Sequence, residues 1–197
     1  MNTLIIENGT VYGTSTDGYG LEHALLENFG RPLAGTGVTF IGAGGAAHAT
    51  AFHLASLGVK AIRIANRTVA KADEIAEKLR RLHPALFVET ARPDDSATLA
   101  RWFADTDFLI QATSLGLKAG DPAPFDLALL KPELKLCVFD TIYRSTPLLS
   151  KARELRLPVA DGAAMLIHQG AKSFELWTGL PAPLDAMRRG FLEAQPC

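Results

Sequence analysis

Residues Gly42, Ala43, Gly44, Gly45, Ala46 and Ala47 lie between a short β-rich run, VTFI, and an alanine-rich stretch. Strand, glycine turn and helix in that order present backbone amides to a pyrophosphate. Gly42 makes the tight turn, Gly44 lets the main chain approach the phosphates, and the small Ala47 lets the helix pack close to the strand. An NAD site would then show Asp or Glu about 20 residues on, bonded to the ribose 2′-hydroxyl. Here the second strand ends in Asn66-Arg67-Thr68, with Lys71 shortly after. If Thr68 caps the next helix, Lys71 falls in its first turn, where the helix dipole disfavours a cation unless an anion sits there. A 2′-phosphate is such an anion. Arg67 would stack on adenine and pair with the phosphate, Thr68 would donate a hydroxyl, and Lys71 would add charge. The set Gly42, Ala43, Gly44, Gly45, Ala46, Asn66, Arg67, Thr68 and Lys71 therefore predicts NADP(H) rather than NAD(H). The competing reading is a solvated helix start with incidental basic residues.

The elements that must hold these residues are legible as patterns. Thr3 to Ile6 and Thr10 to Tyr12 are β-rich runs around Asn8-Gly9, a dipeptide that accepts the positive φ angles of a tight hairpin. Leu21, Leu25, Leu26 and Phe29 follow at helical spacing, closed by Gly30 and Pro32. From Gly37 strands and helices alternate: VTFI, Ala46 to Leu57, AIRIAN, VAKADEIAEKLRRL, ALFVET, Ala97 to Phe103, FLIQAT and KLCVFDTIY. Thr146-Pro147 opens another helix, PVAD is a last short strand, and helices at about Ala163 to Trp177 and Leu184 to Ala194 finish the chain. Continuous rather than alternating apolar strands imply burial on both faces, hence a doubly wound parallel α/β sheet of the Rossmann-like kind. The expected division is a hairpin over 1–17, a connecting helix over 18–36, a dinucleotide-binding domain over 37–161 and C-terminal helices over 162–197. The stretch from Lys118 to Phe125 reads as a loop at a strand's carboxyl end, where such folds place ligands.

Composition narrows the function classes. With 197 residues, 48% hydrophobic and 20 Lys+Arg against 21 Asp+Glu, the chain has the balance of a folded protein. Near-neutral charge without basic blocks argues against nucleic acid and anionic membrane surfaces as partners. Cys137 and Cys197 offer neither a disulfide framework nor metal-ligand spacing, and His48, His53, His83 and His168 are scattered. A reducing cytoplasm and no metal are the expectations.

Several separated motifs then point one way. Asn2-Thr3, STDG (Ser15 to Gly18), GAGGAA, NRT with Lys71, QATSLG (Gln111 to Gly116), DTIY (Asp140 to Tyr143), the TPLL helix start at Thr146 and DGAAMLIHQGAKSFELWTG (Asp161 to Gly179) occur in order over nearly the whole chain. In this the sequence resembles the shikimate dehydrogenase family, whose members reduce 3-dehydroshikimate with NADPH between a substrate domain and a cofactor domain. The resemblance implies Asp17 as the aspartate of a catalytic Lys–Asp pair, and Asn2, Tyr143 and Gln169 as substrate-binding residues. It also implies Thr113, Ser114 and Met165 beside the nicotinamide. Bland readings compete: Asp17 as a helix N-cap, Tyr143 as an ordinary strand aromatic, and Gln169 as the polar edge of a helix burying Leu166, Gly170, Phe174 and Trp177.

Departures from the family pattern are Ser15 and Gln111 where it usually has Asn, a short connection from Tyr143 to Thr146, and a start beyond the segment that carries the family's paired serines and its Asn-Val-Thr-x-Pro-x-Lys lysine. The resemblance thus implies the cofactor half of an NADP-dependent oxidoreductase acting on a shikimate-like hydroxy acid, as a homodimer or with a separately supplied substrate domain. The rivals are a stand-alone NADP(H)-binding module, and another NADP oxidoreductase on the same cofactor domain, such as a methylene-tetrahydropterin dehydrogenase or glutamyl-tRNA reductase. The hairpin, belonging to the substrate domain's sheet in the family, is expected to be mobile here or to pair with another copy, since a lone two-stranded hairpin is marginal.

Overall fold

A computed structural model describes residues 1–118 and 120–194; Cys197 lies outside them. The strands β1 (Thr3–Glu7) and β2 (Thr10–Thr14) pair in register from Thr3↔Thr14 to Glu7↔Thr10. The turn between them holds Asn8 at φ 49° and Gly9 at φ 78°, the left-handed pair that matches the twist of the flanking strands. The helix α1 (Asp17–Phe29) leads to β3 (Gly37–Ile41), α2 (Gly45–Ser56), β4 (Ala61–Ala65), α3 (Val69–Leu82), β5 (Phe87–Ala91), α4 (Ser96–Phe103) and β6 (Phe108–Gln111). After a 3-10 turn at Leu127–Leu129 come β7 (Cys137–Asp140), α5 (Pro147–Glu154), β8 (Val159–Ala160), α6 (Ala163–Thr178) and α7 (Leu184–Glu193).

The large sheet runs β5-β4-β3-β6-β7-β8, with every neighbour parallel. Every residue of β3, β4, β6 and β7 is buried, which is why their apolar runs do not alternate. Two separate cores cover the faces. Leu21, Leu25, Leu54, Ile62, Ile75 and Phe108 belong to one, and Leu99, Trp102, Leu109, Val138 and Leu149 to the other. The doubly wound reading is thereby met. The chain leaves β3 in one direction for β4 and later returns on its other side for β6, so a crevice opens at their carboxyl ends. No helix among the described residues is long and apolar enough to cross a membrane.

Two expectations are corrected. The hairpin is anchored at its base: Thr3 is buried, its hydroxyl lies 2.7 Å from that of Ser173 on α6, and the Trp177 indole N–H donates to the Leu4 carbonyl at 2.8 Å. Side-chain bonds to α6 hold this two-stranded sheet against the body. Away from this base the hairpin is exposed, and Leu4, Ile6 and Val11 share one side of it by their register. The second correction concerns α6. Its buried residues are Met165, His168, Ala171 and Ser173, while Leu166 and Trp177 are exposed. The reason is that α6 packs on α1 and on the hairpin base, and His168 pairs with Glu27 of α1 at 2.7 Å, a bond that Arg188 of α7 extends.

The crossing of α1 and α6 depends on Gly20, where a Cβ would come within 2.7 Å of the Met165 carbonyl and 2.9 Å of the Gln169 Cβ. Gly20→Ala is expected to lower stability by about 1–3 kcal/mol, the usual cost of overpacking, read as a reduced urea midpoint at unchanged slope. An unshifted midpoint would mean that this crossing has slack.

Candidate functional site

The glycine turn is built by long-range contacts. Gly42, at φ 115°, donates to the Ala65 carbonyl at 2.8 Å, and a Cβ on it would meet the Ala112 carbonyl at 2.7 Å. Only glycine fits there. Gly44 is the N-cap of α2 and supplies no side chain to its first-turn amides, and Gly45 and Ala46 open the helix. Those donors are left for an anion.

Asn66 ties this turn to the end of β4: its carboxamide oxygen accepts from the Ala43 amide at 3.2 Å, and its nitrogen donates to the Thr68 carbonyl at 2.8 Å. Thr68 is the N-cap of α3 but its hydroxyl makes no capping bond, and no acid occupies the first turn that holds Lys71. Gly42, Ala43, Gly44, Asn66, Arg67, Thr68, Lys71, Thr113 and Ser114 line one cleft of about 360 Å³. A neighbouring cavity of about 380 Å³ shares Asn66, Arg67, Thr113 and Ser114 and adds apolar walls from Ile41, Leu115 and Pro124. The residues predicted for pyrophosphate and for 2′-phosphate are thus brought together.

A second cleft, about 270 Å³, is lined by Asp17, Ala46, Tyr143, Met165 and Gln169 with Thr141, Gly162 and Leu166. Asp17 is the first residue of α1 and Thr16 its N-cap, so the capping alternative for Asp17 fails. Its carboxylate accepts from the Asn2 amide at 2.8 Å and from the Ser15 hydroxyl at 3.2 Å. The same Asn2 nitrogen lies 3.1 Å from the Gln169 carboxamide oxygen and 3.0 Å from the Thr16 hydroxyl, while the Asn2 oxygen accepts from the Thr16 amide at 2.9 Å. One amide with two protons faces three acceptors. Asn2, Asp17 and Gln169 therefore form a polar corner whose partners can exchange for hydroxyls of a ligand. Tyr143, half exposed, packs edge-on against Phe191 with ring centres 5.9 Å apart and also lines this cleft. Ala46 and Met165, predicted for the cofactor, stand on the border: Ala46 belongs to the helix whose N-terminus faces the first cleft, and Met165 lies in the second.

Sequence reasoning missed the buried framework behind these clefts. Gln111 is fully buried; its oxygen accepts from the Thr113 amide and its nitrogen donates to the Leu115 carbonyl at 2.8 Å, which shapes the loop of Thr113 and Ser114. It also approaches Asp140 at 3.4 Å. Asp140 accepts from the Thr146 hydroxyl at 2.8 Å and the Ile142 amide at 3.0 Å, and burial, with the charge of Asp161 adding to it, pushes its carboxyl up to about 6. A polar residue ending each of two wholly apolar strands was the available signal. Arg92, beside Arg67 in the larger cavity, was missed as well. The histidines act as struts: His53 pairs with Glu22 at 2.6 Å and His168 with Glu27.

Comparison with known proteins follows the same line. A family model described as shikimate / quinate 5-dehydrogenase matches residues 24–115, and one described as shikimate 5′-dehydrogenase C-terminal domain matches 162–189. The shikimate dehydrogenase (NADP(+)) of Methanopyrus kandleri is 36% identical over 195 residues, 98% of this chain and 67% of that protein. That of Desulforamulus reducens is 37% identical over 192 residues, 95% of this chain and 65% of that protein. Among solved structures, the shikimate 5-dehydrogenase of Listeria monocytogenes in complex with shikimate and NAD has a TM-score of 0.87 at 32% identity, over 94% of this chain and 65% of that one. The Thermus thermophilus enzyme in complex with NADP(H) and shikimate has a TM-score of 0.77 at 31% identity, over 98% of this chain and 67% of that one. The chain spans about two thirds of the length of these relatives.

Proposed function

The chain belongs to the shikimate/quinate 5-dehydrogenase family, and on that premise we propose that it carries the coenzyme half and one wall of the substrate site of an NADP-dependent enzyme interconverting 3-dehydroshikimate and shikimate in the cytoplasm. The observation that carries the reading is the start of α2: Ala46 lines the Asp17 cleft and the N-cap Gly44 lines the glycine-turn cleft, which sets the Asp17 corner beside the helix terminus that faces the coenzyme phosphates.

The residues present fit the coenzyme. Gly42 clears the space that a Cβ would fill, Gly44 and Gly45 expose the α2 amides, Asn66 ties the two loops together, and Arg67, Thr68 and Lys71 face the 2′-phosphate. NADPH, when bound, supplies the hydride. Asn2, Asp17 and Gln169 bind and orient the substrate's hydroxyls in a cleft that Tyr143 also lines, Met165 in that cleft bounds the nicotinamide end, and Thr113 and Ser114 line the clefts that hold Arg67. Asp17 accepts a hydrogen bond from the substrate and orients the lysine that protonates the nascent alkoxide in this family. A substrate domain, on the same polypeptide or another, closes over the substrate. Leu4, Ile6 and Val11 give that closure an apolar contact face.

Solved relatives carry NAD in one case and NADP(H) in another, so the cofactor preference rests on Arg67, Thr68 and Lys71. Calorimetric titration with both coenzymes tests it. NADP(H) should bind at least tenfold tighter than NAD(H), and Arg67→Ala should remove about 1.5–3 kcal/mol of that preference, the scale of hydrogen bonds to a charged group. Equal affinities in the unaltered chain would overturn the assignment.

A further inference from the structure

The apolar cavity beside the 2′-phosphate cleft holds a second arginine. Arg92 follows β5 and heads a tight turn in which the Asp95 amide donates to the Arg92 carbonyl at 3.2 Å. Pro93 stands at the second position of that turn, where its locked φ is preferred, and its ring also restrains Arg92 to extended backbone. The side chain is oriented by the same turn. Nε and Nη2 each donate to a carboxylate oxygen of Asp94 at 2.9 Å, the paired-fork geometry, and Nη1 donates to the Arg67 carbonyl at 3.4 Å.

Two consequences follow from that arrangement. The charge of Arg92 is matched by Asp94, whereas among the described residues no carboxylate pairs with Arg67 or Lys71. Arg92 is therefore the poorer phosphate ligand of the three. Three of its five N–H groups are engaged along the guanidinium edge, so its flat face is the larger part of what it has left to offer. A planar cation held at the border of an apolar cavity walled by Ile41, Leu115 and Pro124 suits a flat aromatic base.

We infer that Arg92 is a rigid stacking platform for the adenine ring, contributing to NADP(H) and NAD(H) alike, while Arg67 and Lys71 alone set the preference between them. The inference rests on the proposal that this cleft holds a nicotinamide dinucleotide. It explains why an ion pair so exposed, and so weak by itself, is placed in the cleft at all: Asp94 holds the plane in position before the ligand arrives.

Calorimetric titration of NADP⁺ and NAD⁺ into the full chain, Arg92→Ala, Arg92→Lys and Arg67→Ala tests this. Arg92→Ala and Arg92→Lys should each weaken both coenzymes by the same factor, about three- to tenfold, the range of a cation–aromatic contact at a partly open site, with the preference unchanged. The lysine variant keeps the charge and loses the plane. Affinity retained in Arg92→Lys, weakening confined to NADP⁺, or no weakening in either variant would overturn the platform. Arg67→Ala reports separately on the 2′-phosphate assignment: an unchanged preference there, alongside equal weakening in the Arg92 variants, would sink that assignment and leave the platform standing.

Discussion

A polypeptide limited to residues 1–197 is expected to bind NADP⁺ yet form no measurable NADPH when shikimate is supplied. The cleft around Asp17 is lined by Ala46, Thr141, Tyr143, Gly162, Met165, Leu166 and Gln169, with no cation among them. Reduction of a ketone builds charge on oxygen, and an ionised carboxylate beside that oxygen opposes it. A positioned proton donor contributes about 10²–10⁴ in rate, and enclosure of an oriented substrate contributes at least as much. A substrate held at one polar corner has neither. Joining a family substrate domain with its lysine ahead of Asn2 should restore turnover, and Asp17→Ala in that fusion should lower it by about 10²-fold or more. The absorbance of NADPH is the readout. Turnover by residues 1–197 alone at about 1 s⁻¹ or faster, the ordinary range of enzymes, would mean that Asp17 or another group on this chain moves the proton.

The second large effect is on stability and comes from Asp140. Its carboxyl, pushed up to about 6 by burial, lies well above the value of about 3.9 expected in an unfolded chain. The folded state thus holds this proton more tightly than the unfolded state does. The associated stability is complete below about pH 4, is lost as pH rises through about 6, and is constant above that, a total of about 3 kcal/mol. Glu27 works in the opposite sense: hydrogen bonds from Arg188, and then from His168, hold it down to about 2, so its contribution is lost on acidification from about 4.5 toward 2. The Asp140 effect is isolated by difference. Urea unfolding of the unaltered chain and of Asp140→Asn, from pH 4 to pH 8, should show the unaltered chain losing stability relative to the variant between pH 4 and about 7. A flat difference, or one of opposite sign, would place the carboxyl in a better-solvated state.

Much of the molecule was legible in the order of its residues. The apolar runs of β3, β4 and β6 announced a sheet buried on both faces, and Gly42 with its neighbours announced the turn between β3 and α2. Asn8-Gly9 announced the hairpin turn. Arg67, Thr68 and Lys71 stood out because a cation in a helix's first turn is unusual, and the structure gathers them in one cleft. Each of these signals lies within a few consecutive residues, where backbone sterics and hydrophobic period act directly. The hairpin's anchorage and the buried face of α6 were not legible, because a helix with apolar residues on several sides does not say which side meets a neighbour.

What the sequence by itself determined is the succession of strands and helices, the glycine turn between β3 and α2 and the chemical types set at the strand ends. Only the tertiary structure decided that Asn2 meets Gln169 across 167 positions, that Asp17 serves no cap, and that Gln111 and Asp140 brace the coenzyme loop from behind. The physical reason is one of range: backbone preference and periodicity act over a few residues, whereas these contacts exist only after α6 has packed on α1. That crossing is set by an absent side chain, at Gly20, and by a long-range hydrogen bond, between His168 and Glu27.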